Sequence, residues 1–259
     1  MKIISVVGAR PNFMKISPFC KEIEKHHDIE HILVHTGQHY DDRMSRSFFE
    51  ALGIPDADIN LGIGSGSHAQ QVGNTMIEFE KVLKNEKPDW VVVVGDVNAT
   101  LACSITAKKE HIKVCHIEAG IRSGDNRMPE EINRIVTDRV SDLLLAPDEI
   151  AVENLQREGV GVKNIKLVGN IMIDSLENHI EAARNLKVKE IVLANLLGSN
   201  IEIEVGNKLA VVTLHRPSNV DSVEILSDIV DFLLDEIRLK YSIVWPVHPR
   251  TLKMLIGSD

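Results

Sequence analysis

An α/β protein with two doubly wound lobes is what this sequence predicts, and three observations carry that reading. Short β-branched runs recur along the 259-residue chain with helical patterns between them. The runs are continuously apolar rather than alternating, which in a parallel sheet means that helices cover both faces. After one long helical stretch the same pattern starts again, so a second Rossmann-like lobe is expected.

Taken in order, the runs are IISVV at 3–7, HILVH at 31–35, WVVVV at 90–94, KVCHI at 113–117, LLLA at 143–146 and IKLVG at 165–169. They predict a first lobe over 1–170. A helical stretch from about Asp174 to Leu197 predicts a linker region over 171–206. The pattern resumes over 207–259 with LAVVTLH at 209–215 and SIVWPVH at 242–248. Between these two runs, Leu226, Ile229, Val230, Leu233, Leu234 and Ile237 share one face of an amphipathic helix. A domain of this kind needs about 100–150 residues. The stretch from Ser175 to Asp259 is shorter, so the second lobe is expected to be incomplete.

Hydrophobic residues make up 44% of the chain and charged residues 26%, an ordinary globular balance. The net charge of -9 argues against a nucleic-acid backbone as partner, because that partner requires a basic face. Cys20, Cys103 and Cys115 are odd in number and lack C-x-x-C spacing, so neither a disulfide framework nor a zinc ribbon is expected. No apolar run approaches the roughly eighteen residues of a membrane helix, and MKIISVVGAR is too short for a signal peptide. A cytoplasmic location without membrane attachment is the expectation.

Ligands of open parallel sheets bind beyond the carboxyl ends of the strands. The residues there are Arg10 with Lys15, Gln38 with His39, Asp96, Glu118, Asn170, then His215 with Arg216, and His248 with Arg250. Ordinary turns favour Gly, Asn, Asp and Ser over repeated His, Arg and Glu. The pattern points to an active cleft between two lobes.

Each residue also has a plainer reading. Arg10 is either a solvent-facing residue ahead of a helix containing Pro11 or, with Lys15, a holder of an anion at that helix N-terminus. Asp96 could cap the helix NATLACSITAKK, and Glu130 and Glu131 could simply favour a first turn behind Pro129. Arg134 stands four residues after Glu130, the spacing of a helix-surface ion pair. GIGSGS at 62–67 reads as a loop, since no convincing strand feeds it, and an NAD enzyme is disfavoured. A metal site at His35, His39 and Asp41 is not expected, because His35 reads as part of a buried strand. Cys103 and Cys115 read as core and not as nucleophiles.

Together, GARPNFMK, TGQHYD, GDVNATLA, HIEAGIRSGD with PEEINR, GNIMID, VTLHRPSNVD and PVHPRT closely resemble the UDP-N-acetylglucosamine 2-epimerase family, in its non-hydrolysing, archaeal-type form. The resemblance runs from Met1 to about Thr251. It implies a GT-B-like fold, with the sugar nucleotide in the cleft between the lobes. It also implies a further Ser-Gly-Gly-x-x-Glu-Glu-like segment that binds uridine diphosphate and has no counterpart here. The PEE segment follows GD at a shorter interval than in many bacterial relatives. Of its two glutamates, Glu130 is the favoured functional carboxylate, with Arg134 beside it.

The chemistry implied is reversible epimerisation at C2 through elimination and re-addition of UDP, by way of a 2-acetamidoglucal. Such a reaction needs carboxylates around the sugar ring and cations for the leaving diphosphate. By resemblance, Asp96, Glu118, Glu130 and His215 are the catalytic candidates. Arg10, Lys15, Arg134 and Glu131 are the substrate-binding candidates. Gln38, His39, Gln70, Gln71, Arg216 and His248 are candidates for a second, regulatory UDP-N-acetylglucosamine site. No metal or cofactor is implied. A homodimer and a role in surface glycan synthesis are the further expectations. A hydrolysing epimerase releasing N-acetylmannosamine, a GT-B glycosyltransferase and a non-catalytic sugar-nucleotide binding module are the alternatives.

Overall fold

A computed structural model describes residues 1–37, 53, 56–197 and 208–257. The first strand, β1 (Lys2–Val7), alternates its side chains between two separate cores, and that alternation sets the architecture of the first 181 residues. Ile3 and Val7 pack with Phe13, Ile16, Cys20 and Ile23 of α1 (Arg10–Ile23). Ile4 and Val6 face the other way, onto Phe79, Val82 and Leu83 of α2 (His68–Glu86) and Cys103 and Ala107 of α3 (Asn98–Lys109). A strand buried on both faces is apolar almost throughout, which is why its sequence does not alternate; the one buried polar side chain, Ser5, is bonded to His31 Nε2 at 2.7 Å.

Seven parallel strands form the sheet in the order β3-β2-β1-β4-β5-β6-β7. These are β2 (Glu30–His35), β3 (Ile59–Asn60), β4 (Trp90–Val94), β5 (Lys113–Ile117), β6 (Leu143–Ala146) and β7 (Ile165–Leu167). The chain proceeds from β1 outward on one side and returns to start β4 on the other. The loops after β1 and β4 therefore flank a crevice, the usual ligand position in this topology. Among the described residues the unit also holds α4 (Pro129–Val140), α5 (Glu149–Arg157) and most of α6 (Ile171–Arg184).

Six strands fall where the apolar runs predict them. The seventh, β3, has only two residues and runs into the GIGSGS stretch, which is a loop. That loop leads into α2 through a capping box: Gln70 N donates to Ser67 Oγ and Ser67 N donates to Gln70 Oε1. The helix expected over Asp174–Leu197 is two, α6 and α7 (Val188–Ala194), broken at Asn185–Lys187.

Residues Ala182–Asp259 form the second unit. It holds a two-stranded parallel sheet of β8 (Leu209–Val211) and β9 (Ser242–Val244), with α8 (Pro217–Val220), α9 (Val223–Phe232) and α10 (Pro249–Ile256). Helix α9 runs into a π turn over Leu233–Ile237. Leu226 is buried and Ile229, Val230, Leu233 and Ile237 are half-buried, while Leu234, expected on the same face, is exposed. Among the described residues no helix is long and apolar enough to cross a membrane.

Gly120 closes the loop after β5 and has φ +85°. A β-carbon there would stand 2.4 Å from the backbone oxygen of Ala151 in α5. Both backbone strain and steric overlap therefore select glycine. Gly120→Ala is expected to lower unfolding stability by about 2–4 kcal/mol in urea denaturation. A loss below a few tenths would show that the loop relaxes freely.

Candidate functional site

The crevice is built first by Asn12. Its Oδ1 accepts from the backbone N–H of Gly8 and Ala9, at 3.2 and 3.1 Å, and its Nδ2 donates to Val94 O at 2.9 Å. One buried amide thus ties the turn after β1 to the end of β4. Gly95 follows with φ +67°, and a β-carbon there would lie 3.1 Å from Lys15 Nζ and 3.3 Å from Glu118 Oε2. The missing side chain leaves room for the ion pair between Lys15 and Glu118.

Glu118 itself has φ +73°, in the left-handed region that non-glycine residues seldom occupy. It sits directly past β5, held there because its own N–H and that of Ala119 both donate to Leu145 O. Its carboxylate pairs with Lys15, and the residue also borders a cavity of about 600 Å3 within this unit, walled by Phe19, Ile117, Leu145, Asn170 and Ile171. Backbone strain at a charged residue in a crevice marks a functional position more often than chance would.

Asp96 follows Gly95 on the adjacent loop. The helix-capping alternative fails, because the N-cap of α3 is Val97 and makes no side-chain cap. Asp96 Oδ2 instead meets Arg134 NH2 at 2.5 Å, and its backbone oxygen accepts from Asn133 Nδ2 at 2.8 Å. Arg134 reaches the other way to Glu131 Oε2, at 2.8 Å. The expected partner of Arg134, Glu130, is not the one it has.

The two glutamates of PEEINR differ sharply. Glu131 is 1% exposed and accepts from the backbone N–H of Ser123 and Gly124 at 2.9–3.0 Å. Burial pushes its pKa up, but those two N–H groups and Arg134 outweigh it and hold the carboxyl at about 2. Glu130 is half-buried and makes no hydrogen bond or ion pair among the described residues. One glutamate fastens the loop to α4, and the other is available.

The face of α4 turned inward is polar: Glu131, Asn133, Thr137 and Asp138 are buried, while Ile132 is 50% exposed. Asp138 is fixed by His116 Nδ1 at 2.6 Å, Gly120 N at 3.0 Å and Arg122 NH1 at 2.8 Å. Asn12, Gly95 and His116 lie inside the motifs quoted above, but local sequence does not reveal their roles or that of Asp138. Their partners lie as far as 82 residues away, and His116 reads simply as part of a core strand.

Of the remaining candidates, Gln38 and His39 lie outside the described residues, as does the side chain of Arg10. Gln70 is engaged in the capping box, and Gln71 Oε1 accepts from Asn98 Nδ2 at 2.7 Å. Asn170 accepts from Met172 N at the start of α6. In the second unit, Thr251 Oγ1 donates to Leu214 O, and the rings of His215 and His248 stand 5.9 Å apart. Arg216 is exposed, and Arg250 pairs with Asp221. Among the described residues no group of three His, Cys, Asp or Glu side chains could hold a metal. Cys20, Cys103 and Cys115 are buried, and burial pushes each thiol pKa up.

Comparison with known proteins matches residues 21–258 to the profile of the family described as UDP-N-acetylglucosamine 2-epimerase. A UDP-N-acetylglucosamine 2-epimerase of Methanocaldococcus jannaschii is 43% identical over 256 residues, covering 98% of this chain and 68% of its own length. A UDP-2,3-diacetamido-2,3-dideoxy-D-glucuronate 2-epimerase of Pseudomonas aeruginosa is also 43% identical, over 97% of this chain and 68% of its own length. The crystal structure of the M. jannaschii UDP-GlcNAc 2-epimerase in complex with UDP-GlcNAc and UDP superposes with a TM-score of 0.84 at 42% identity. The match covers 99% of this chain and 68% of that one.

Because Glu131 is held well below the ordinary carboxylate value of 4.5, it stabilises the fold fully above that pH. The contribution disappears as pH falls toward 2. The stability gap between wild type and Glu131→Gln is therefore expected to be wide at pH 7 and to narrow by pH 3, measured by chemical denaturation. A gap independent of pH would contradict the bonding described for Glu131.

Proposed function

The chain belongs to the UDP-N-acetylglucosamine 2-epimerase family, and from that premise we propose that it interconverts UDP-N-acetylglucosamine and UDP-N-acetylmannosamine. The observation that carries this reading is that Asp96 and Glu118, on the neighbouring loops after β4 and β5, are paired with Arg134 of α4 and Lys15 of α1 beside the switch point of one sheet. The C2 proton of an N-acetylhexosamine is not adjacent to a carbonyl, so a base alone does not remove it. It becomes acidic as the C1–O bond to the diphosphate breaks and positive charge develops at C1. A carboxylate takes the proton, leaving a 2-acetamidoglucal and UDP. Re-addition, with protonation from the opposite face, inverts C2.

In this scheme Glu118, Asp96 and Glu130 divide the acid and base work at the ring. Lys15, Arg134 and Arg10 counter charge on the departing diphosphate, and His215 supplies a proton to it. Glu131, buried and bound on every side, positions Arg134 and does not contact substrate.

A second reading has its own support, because the P. aeruginosa relative is as similar as the archaeal one. Its named substrate shares the UDP group and the 2-acetamido carbon but differs at C3 and C6. Offering both sugar nucleotides to the protein decides between them by relative kcat/KM. A homodimer and a cytoplasmic site of action in surface glycan synthesis complete the proposal; sedimentation at a monomer mass would remove the first. A regulatory site at Gln38, His39, Gln70, Gln71, Arg216 and His248 is also proposed. Strictly hyperbolic rates in UDP-N-acetylglucosamine would count against it.

Incubation with UDP-N-acetylglucosamine should give UDP-N-acetylmannosamine. Free N-acetylmannosamine would instead indicate the hydrolysing branch, and binding without turnover a binding module. Asp96→Asn and Glu118→Gln should each reduce kcat by roughly 100- to 10,000-fold, the range for a lost general acid or base, with little change in melting temperature. Turnover near wild type in either variant would remove that residue from the mechanism.

A further inference from the structure

We propose that His116 is a positioning residue that, with Asp138, locks Glu118 and the Asp96 loop into their reactive arrangement; this rests on the reading of Glu118 as an acid-base group. His116 is fully buried, two residues before Glu118 on β5. Its Nδ1 faces Asp138 Oδ1 at 2.6 Å and its Nε2 faces Gly95 O at 2.8 Å. Both ring nitrogens are thus engaged, one by a carboxylate and the other by a backbone carbonyl, so the ring cannot turn without losing a partner.

The bonds reach both flanks of the strained residue. Asp138 Oδ2 accepts from Gly120 N, two residues after Glu118, so the His116–Asp138 unit grips the chain on either side of the left-handed position. The Nε2 bond fixes Gly95, whose missing side chain leaves room for Lys15 and Glu118 and whose neighbour is Asp96. Arg122 completes the arrangement, bridging Asp138 and Glu158. An uncharged apolar core would fill this space equally well. A buried ion pair with each oxygen and nitrogen engaged is instead a device that admits one geometry, at the cost of desolvating its charges.

Two variants separate positioning from folding. His116→Gln can keep a donor toward Gly95 O, and His116→Asn can keep one toward Asp138. Both are expected to lower kcat roughly 100-fold, the scale for a reacting group displaced by about an ångström, while KM for UDP-N-acetylglucosamine stays within about twofold. Asp138→Asn should act in the same direction, and the His116→Gln/Asp138→Asn double variant should lose little more than either alone. A turnover-independent readout accompanies these. In crystals of His116→Gln the φ of Glu118 should leave the left-handed region.

Rates of the variants that match wild type, or losses in kcat that only follow the lost folded fraction, would overturn the proposal. So would an unmoved Glu118 in the variant crystals. If wild type itself does not epimerise either sugar nucleotide, it is the functional reading that fails. The variant crystals then still decide whether His116 positions Glu118.

Discussion

The left-handed backbone at Glu118 is the constraint on which the site depends. A charged side chain in that conformation costs on the order of 1 kcal/mol or more and persists only where its surroundings over-determine it. Here β6 supplies Leu145 O to two successive N–H groups, α1 supplies Lys15, and α4 supplies Asp138 to Gly120 N. The benefit is direction: an extended residue at the end of β5 would continue the strand, whereas this turn points a carboxylate into the crevice beside β4. The glycines at 95 and 120 follow from the same demand, one leaving room for the ion pair and the other letting α5 approach the turn.

That constraint explains why HIEAGIRSGD and the PEEINR helix carry so many charges. Neither solvation nor catalysis accounts for all of them. Arg122 bridges Asp138 and Glu158, Asp125 pairs with Arg127, and Glu131 fastens the Ser123–Gly124 turn to α4. These fix the loop. Glu118 and Glu130 are what it presents. A helix that buries Glu131, Asn133, Thr137 and Asp138 while exposing Ile132 has reversed the usual amphipathic order, which is tolerable only because each buried charge is paired.

Much of the fold was legible because parallel strands buried on both faces leave an unmistakable continuous apolar run. β3 was not, since two residues carry no periodicity, and the π turn after α9 was not, since it lies within an otherwise regular pattern. At the site, the rule that ligands sit past strand ends pointed to Lys15, Asp96 and Glu118 at once. It could not separate Glu130 from Glu131, because both suit the first turn of a helix and only the tertiary path of the Ser123–Gly124 turn distinguishes them. Asn12, His116 and Asp138 stayed hidden for a related reason: their roles are hydrogen bonds between distant segments, and an apolar strand with one histidine reads as core.

The central claim is that Glu118 and its neighbours remove and return the proton at C2 while the bond to UDP is broken. The most direct test is to run the reaction in heavy water and follow the sugar C2 proton by NMR. The account predicts that the C2 signal disappears and that UDP-N-acetylmannosamine appears with deuterium at C2. An epimer formed with its original C2 proton retained would contradict it, as would a C2 signal that persists in the presence of folded protein that binds the sugar nucleotide.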